Sequence, residues 1–437
     1  GRAPRGAMGA RAGALAWALA AALMRARGAQ AVKSSLVRRE ASRPEARDRS
    51  FTLVSRLSDG ELRIVMNDEQ DRVAEEMQPW LKSAEPHMNV IKTRYLTFET
   101  DNGGFNNIRM AFEYFVDVAR TSNRTLVLPP HEGLYLLDWG PRTARNRSDQ
   151  GWIGTRTQTE YDDLWDLGDL RKKVPVLKAQ DFYDDVLRPG GAPLVASPSL
   201  QINNQPDFSQ WKYWLSKTAD VALGNCGTVR HVAESSQAAV VHIPSRLWDS
   251  HGHMTSEREQ RFLYCDHGNT DKEIHYQRHL YAIASGPIAR MGLRNYTALH
   301  LRRNDFQYQQ APDTPSRIME KIAETLKPKE TVYVASDELD PEWWSQLRSA
   351  LKAGGHELMT FDDFKPELLD RGLKEKFSGL VEMIICTAAR SFWGSRQSTF
   401  TAGIQSLRKT LRESSGPWSV SEEEFGVTNK FAFLQFR

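Results

Sequence analysis

The strongest constraint on the fold is an alternation of strand and helix patterns from Tyr296 to Leu411. Tyr296 to Leu301 is a short apolar run, and Thr314-Pro315 then opens a segment with Ile318, Ile322 and Leu326 on one helical face. Thr331 to Ala335 reads as a second strand, followed by a helix that Asp340-Pro341 starts and Gly354-Gly355 stops. His356 to Phe361 is a third strand, Glu375 to Arg390 an apolar helix and Phe392-Trp393 a fourth strand. A last helix follows Ser398-Thr399, with Phe400, Ile404, Leu407 and Leu411 on one face. Strands separated by helices pair in parallel, with helices packed on both faces of the sheet. The pattern therefore predicts a doubly wound α/β domain.

A similar pattern opens earlier. Tyr95 to Phe98 reads as a strand and Asp101 to Asn107 as a Gly-bearing loop. Ile108, Ala111, Phe112, Phe115, Val116 and Ala119 mark a helical face, which Asn123 ends. Thr125 to Leu128 is the next strand, and Pro129-Pro130 stops it. Residues 131–290 are less regular, with a strand at Ala238 to Ile243. Two Rossmann-like domains, residues 93–290 and 291–437, are expected to face a cleft where a ligand binds. Residues 32–92 are expected to be stem and linker, with one helix on Val73, Met77 and Leu81.

Composition excludes several classes. The formal charge of +3, from 58 basic and 55 acidic residues, is too small for a nucleic-acid binder with a concentrated basic patch. The 13-residue apolar run Ala12 to Met24 lies between Arg11 and Arg25 and precedes Ala29-Gln30-Ala31, so residues 1–31 read as a secretory signal peptide. The run is shorter than the roughly 20 residues of a membrane-spanning helix. The expected location is the lumen of the secretory pathway, endoplasmic reticulum or Golgi, without stable membrane insertion after cleavage. Sequons at Asn123, Asn146 and Asn295 fit that compartment, although Asn123 also reads as a turn residue. Of the three cysteines, Cys386 sits in the apolar run Met383 to Cys386 and reads as a buried thiol, which leaves Cys226 and Cys265 as the disulfide candidates.

Three strings carry chemistry. His300-Leu301-Arg302-Arg303-Asn304-Asp305-Phe306 lies where a strand ends, at the sheet edge where ligands bind in such folds. An arginine there can grip a diphosphate bidentately, or it can be half of a structural Arg–Asp pair. Phe392-Trp393-Gly394-Ser395-Arg396-Gln397-Ser398-Thr399-Phe400-Thr401 puts hydroxyls and free N–H groups at a helix start, which suits an anion or ordinary N-capping. Gly103-Gly104-Phe105-Asn106-Asn107 allows backbone to approach a ligand closely.

Together the strings resemble the protein O-fucosyltransferases, most closely the branch acting on thrombospondin-type repeats; His-Leu-Arg-Arg-x-Asp-Phe is also similar to a motif of α1,6-fucosyltransferases. The resemblance runs through GGFNN, NRTLVLPP, HLRRNDF and VEMIICTAARSFWGSRQSTFTAGI. It implies a glycosyltransferase-B fold, GDP-fucose as donor, a Ser/Thr hydroxyl of a folded secretory protein domain as acceptor, inversion at the sugar carbon and no required metal or other cofactor. On it, Arg302 is the arginine that contacts the donor diphosphate, and Asp305 fixes that arginine or the nucleotide. His300 and Arg303 belong to the same motif. Ser398, Thr399 and Phe400 meet phosphate and nucleoside, and Gly104, Phe105, Asn106 and Asn107 border the donor. The branch carries a catalytic glutamate immediately before Gly-Phe-Asn, where this chain has Gly103; Asp101 is then the expected base, with Glu99 fixed in structure.

Metal-dependent sugar-nucleotide transferases usually show Asp-x-Asp, and none occurs in this chain. A rival metal site, His275-x-x-x-His279, lacks the Glu of a His-Glu-x-x-His motif, and the seven histidines from His231 to His279 read as solvent-facing. Two alternative functions carry the same motifs: fucose transfer to a glycan, and a catalytically silent GDP-sugar-binding relative.

Overall fold

The computed structural model describes residues 66–82, 84–101, 104–130, 159–184, 219–245, 274–303, 314–395 and 398–413, five isolated residues between these segments, and two short strands. The chain divides into residues 1–50 and 51–437, and the described residues all belong to the second unit. The expected signal peptide, the sequon at Asn146, and Asn102, Gly103, Asp305, Arg396 and Gln397 lie outside the described residues.

Strands β1 (Val54–Arg56) and β2 (Leu62–Ile64) pair antiparallel. Helix α1 (Asp68–Glu76) follows, closed at its start by a reciprocal cap in which Asn67 and Gln70 accept each other's backbone N–H. It buries Val73 and Met77, so part of the segment expected as linker packs on the folded body; the helix ends before Leu81.

The first large sheet consists of β3 (Tyr95–Phe98), β4 (Thr125–Val127), β5 (Val176–Leu177), β6 (Asp220–Val221) and β7 (Val240–Ile243), in the order β5-β4-β3-β7-β6, all parallel. Helix α2 (Phe105–Thr121) follows β3 and is buried on nearly every side. Asn123 ends it with φ +51°, the left-handed conformation Asn tolerates. A disulfide joins Cys226, at the start of α3 (Cys226–Ser235), to Cys265, as the cysteine placement predicted. Nearby, Tyr114 of α2 donates to the Cys226 carbonyl (2.6 Å) and stacks on Phe262 (5.5 Å).

Helix α4 (Arg278–Met291) packs on α1 and leads to the second sheet. That sheet holds β8 (Tyr296–Leu301), β9 (Thr331–Ser336), β10 (Glu357–Thr360) and β11 (Ser391–Gly394), in the order β10-β9-β8-β11, again all parallel. The connecting helices are α5 (Pro315–Ile322), α6 (Pro341–Ala353) and α7 (Ser378–Ala388), and α8 (Thr399–Glu413) follows β11. The period-two alternation of strands separates the two faces. Tyr296, Ala298, Tyr333, Ala335 and Phe392 join the large core with α7 and α8. Leu299, Leu301, Val332, Val334 and Trp393 pack beneath α5 and α6. Cys386 is buried in α7, and burial pushes its thiol well above the usual range.

The architecture is the expected α/β class with two parallel sheets. In each, strand order reverses beside one strand. β3 lies between β4 and β7, and β8 lies between β9 and β11. Such switch points open a crevice at the carboxyl ends of the strands, where ligands bind. The Gly-bearing loop leaves the first, and His300-Leu301-Arg302 ends the second.

Candidate active site

The end of β8 is gripped from both neighbouring strands. Ser336 Oγ, on β9, donates to the Leu301 carbonyl (2.7 Å). Ser395, just after β11, donates its N–H to the His300 carbonyl (2.9 Å) and accepts the Arg302 N–H on Oγ (2.8 Å). His300 Nδ1 lies 2.8 Å from Thr401 Oγ1, and its ring stacks on Phe400 with centroids 4.5 Å apart. Burial, and then the Arg302 charge, push the His300 imidazole down to about 3, so it is neutral at physiological pH. Gly394 makes this contact possible: a Cβ there would lie 2.4 Å from Thr401 Cγ2.

Arg302 is one-third exposed (33%), with Nε 3.3 Å from Asp337 Oδ2. The adjacent Arg303 is placed differently. Its backbone N–H donates to Asp337 Oδ1 (2.6 Å), while its guanidinium binds Glu338 and lies over the Trp343 ring at 4.4 Å. Burial raises the Glu338 pKa, but hydrogen bonds from Arg303 and from the Asp340 and Leu339 N–H groups outweigh it and hold the carboxyl below its usual range. The Arg303 guanidinium is thus braced against Glu338 and Trp343.

Beside Arg302 begins α8. The Ser398 carbonyl accepts the Ala402 N–H (3.1 Å), which makes Ser398 the helix-entry residue and leaves the first helical N–H groups without intrahelical partners. Ser398 is buried, and Thr399 and Phe400 are half-buried. Anionic groups are stabilised at such a position.

At the other switch point, Glu99, Thr100 and Asp101 follow β3 and all are buried. Glu99 Oε2 accepts the Ser245 N–H (3.0 Å) and hydroxyl (2.9 Å), and its Oε1 lies 3.7 Å from His242 Nε2. Glu99 is thus held in structure, as expected. Thr100 Oγ1 meets the Tyr161 hydroxyl at 3.2 Å. Asp101 is 5% exposed, beside the glycine loop.

Gly104 caps α2 without a side chain. Phe105 packs on Trp165 (5.6 Å) and Tyr276 (6.0 Å), so its ring belongs to the core; Asn107 is half-buried. Asn106 is buried, and its Oδ1 has no hydrogen-bond partner among the described residues. That oxygen lies against α8, where a Cβ on Gly403 would approach it to 2.4 Å. Arg109, paired with Glu113 (2.8 Å), donates to the Gly403 carbonyl and Ser406 Oγ, both at 3.1 Å. The first turn of α2 is thereby held against α8, four residues from its start.

The structure joins His300 to Phe400 and Thr401 of α8 and Arg302 to Ser395, three residues before Ser398, and sets Asn106 against the same helix. Sequence reasoning missed Asp337, Ser395, Thr401 and Gly403. Ser395 and Thr401 stood inside a string already singled out, whereas nothing local marks Asp337. The histidine reading needs correction. His242 and His275 are buried, not solvent-facing. His275 stacks on Trp80 at 3.7 Å and bonds Asp169 Oδ2 through Nδ1 (2.6 Å), and it precedes α4 instead of sharing a helical face with His279. Burial lowers its pKa despite the Asp169 partner.

Residues 95–411 match the family model described as GDP-fucose protein O-fucosyltransferase. Among curated proteins, GDP-fucose protein O-fucosyltransferase 2 of Caenorhabditis elegans is 21% identical over 379 residues, covering 73% of this chain and 84% of that protein. Among solved structures, POFUT1 in complex with GDP-fucose is 16% identical, with a TM-score of 0.44 over 75% of this chain and 97% of that one. The fucosyltransferase NodZ from Bradyrhizobium is 13% identical, with a TM-score of 0.38 over 71% of this chain and 93% of that one.

Proposed function

The chain belongs to the GDP-fucose protein O-fucosyltransferase family, and from that premise we propose that it moves L-fucose from GDP-fucose to a Ser/Thr hydroxyl of a folded secretory-pathway domain, with inversion at the anomeric carbon. The observation that carries this reading is Arg302 at the β8/β11 switch point, partly exposed and beside the start of α8. The acceptor oxygen attacks the anomeric carbon, and the bond from that carbon to the β-phosphate oxygen breaks. Negative charge grows on the departing GDP, where the Arg302 fork and the N–H groups after Ser398 stabilise it. Asp101 takes the acceptor proton, a role supported by its place just past the end of β3, two residues before the Gly103-Gly104 pair. Residues 291–437 are then the donor half, and residues 93–290 the acceptor-side half.

The secretory assignment is supported by the Cys226–Cys265 disulfide and by the leader pattern of residues 1–31. It makes the exposed Asn123 and Asn295 candidate glycan carriers. Each precedes a strand, at the sheet edge opposite its switch point, so a glycan there leaves the cleft clear. Among the described residues, no helix is long and apolar enough to cross a membrane.

The test is a panel of GDP-sugars assayed with folded repeat domains as acceptors. Transfer from GDP-fucose to a Ser/Thr hydroxyl is the expected result, unchanged by excess EDTA because the chain has no Asp-x-Asp. Transfer only to free oligosaccharides would make it a glycan enzyme. GDP binding without turnover would make it a silent relative.

A further inference from the structure

We propose that Asp337 is the positioning residue for Arg302, an inference that rests on the donor-site reading above and adds a residue to it. Asp337 directly follows β9, the strand paired with β8. Its carboxylate acts on two successive residues. Oδ1 accepts the Arg303 N–H at 2.6 Å, which locks the backbone just past Arg302. Oδ2 forms an ion pair with Arg302 Nε at 3.3 Å, a charge contact rather than a hydrogen bond. Engagement at Nε is the arrangement that serves a diphosphate, because the two terminal nitrogens form the fork that binds phosphate oxygens in parallel. Neither terminal nitrogen of Arg302 donates a hydrogen bond to a described residue; its backbone N–H is the donor, to Ser395 Oγ.

An arginine with one-third of its side chain exposed would otherwise lose much rotamer freedom on binding. A carboxylate on a strand end, braced by the Ser336 hydroxyl on the Leu301 carbonyl, takes that loss during folding. The two acidic residues after β9 also divide the two arginines after β8. Asp337 orients the Arg302 guanidinium toward the switch point, and Glu338 holds that of Arg303 against Trp343.

A purely structural Asp337 would do no more than cap Arg303. Asp337→Asn separates the two roles, since the amide keeps an oxygen for the Arg303 N–H and presents an NH₂ donor to Arg302 Nε. With the full chain, and GDP release from GDP-fucose as readout, kcat should fall on the order of 10- to 100-fold, the scale of a misplaced catalytic group. KM and the melting temperature should change little. In an Arg302→Ala background the same substitution should cost almost nothing further, because the two side chains act as one unit.

Wild-type kcat in Asp337→Asn overturns the inference, as does an equal fold-loss in both backgrounds. Should Asp337→Asn fold poorly, Asp337→Glu decides. A kcat loss beyond the loss of folded protein supports positioning, and a loss equal to it overturns positioning. Full turnover in Arg302→Ala alone sinks the donor-site reading itself. Loss in Arg302→Ala with none in Asp337→Asn sinks only the present inference.

Discussion

The two switch points have one geometry and opposite chemistry. After β3 come Glu99 and Asp101, buried acidic groups shortly before Gly104, which caps α2. After β8 and β11 come Arg302, the hydroxyls of Ser395, Ser398 and Thr401, and the start of α8. One edge suits accepting a proton and the other suits accepting negative charge. The bracing differs as well. The end of β8 is tied to both neighbours by side-chain hydrogen bonds, whereas the end of β3 is tied to the end of β7 through Glu99 and Ser245 and the chain then enters α2 at Gly104 with no side-chain cap. Holding a diphosphate rewards a rigid cradle. Under the proposed function the β8 edge would hold the diphosphate and the β3 edge would receive the acceptor.

The most severe challenge to this division is Asp101→Asn, which keeps size and turn-forming ability but removes the proposed base. Turnover should fall ~10²–10⁴-fold while GDP affinity by calorimetry holds. Unchanged turnover would leave the β3 edge structural and move the base elsewhere.

Next is Arg302→Ala, expected to lower transfer on the order of 10²-fold, with Arg302→Lys rescuing little because the fork is lost. Near-normal rates would strip the β8 edge of its role. The joint between the halves is probed by Gly403→Ala, which drives a methyl toward Asn106 Oδ1 and to 2.5 Å from Met383 Cε. A loss of roughly 1–3 kcal/mol in chemical denaturation is expected. A neutral effect would mean that α2 and α8 part easily.

Only the pH dependence, not the rate, is at stake at His300. Its folded-state value of about 3 lies below the 6.5 of the unfolded chain, so the unfolded state takes up the proton first. Stability is therefore full above pH 6.5 and drains as pH falls toward about 3, by no more than ~1.4 kcal/mol per pH unit. His300→Gln should flatten that part of the melting-temperature curve. Parallel curves for the two proteins would show that His300 is not buried neutral.

Much of this was legible in the chain. Tyr95–Phe98 and Tyr296–Leu301 are strands at the expected residues, because apolar runs bounded by turn and helix signals leave few alternatives. Asp340-Pro341 starts α6, and Thr314-Pro315 starts α5, each through a side-chain cap. Two-residue strands such as Val176–Leu177 and Asp220–Val221 show no periodicity, and they exist only because a neighbouring strand pairs with them. His275 lies in a long stretch without clear periodicity, where a histidine reads as solvent-facing. Trp80 and Asp169, distant in sequence, supply the stacking and the hydrogen bond that bury it.

By itself the sequence determined which residues stand at strand ends and helix starts, since periodicity, caps and glycines act over a few residues. It therefore marked Arg302, Ser398 and the glycine loop. Only the tertiary structure decided who their partners are. Placing β9 and β11 on either side of β8 brings Asp337 and Ser395 to Arg302, and packing α2 on α8 sets Asn106 against Gly403. Strand order and helix contact are settled by burial summed over the whole core, a quantity no local stretch of chain contains.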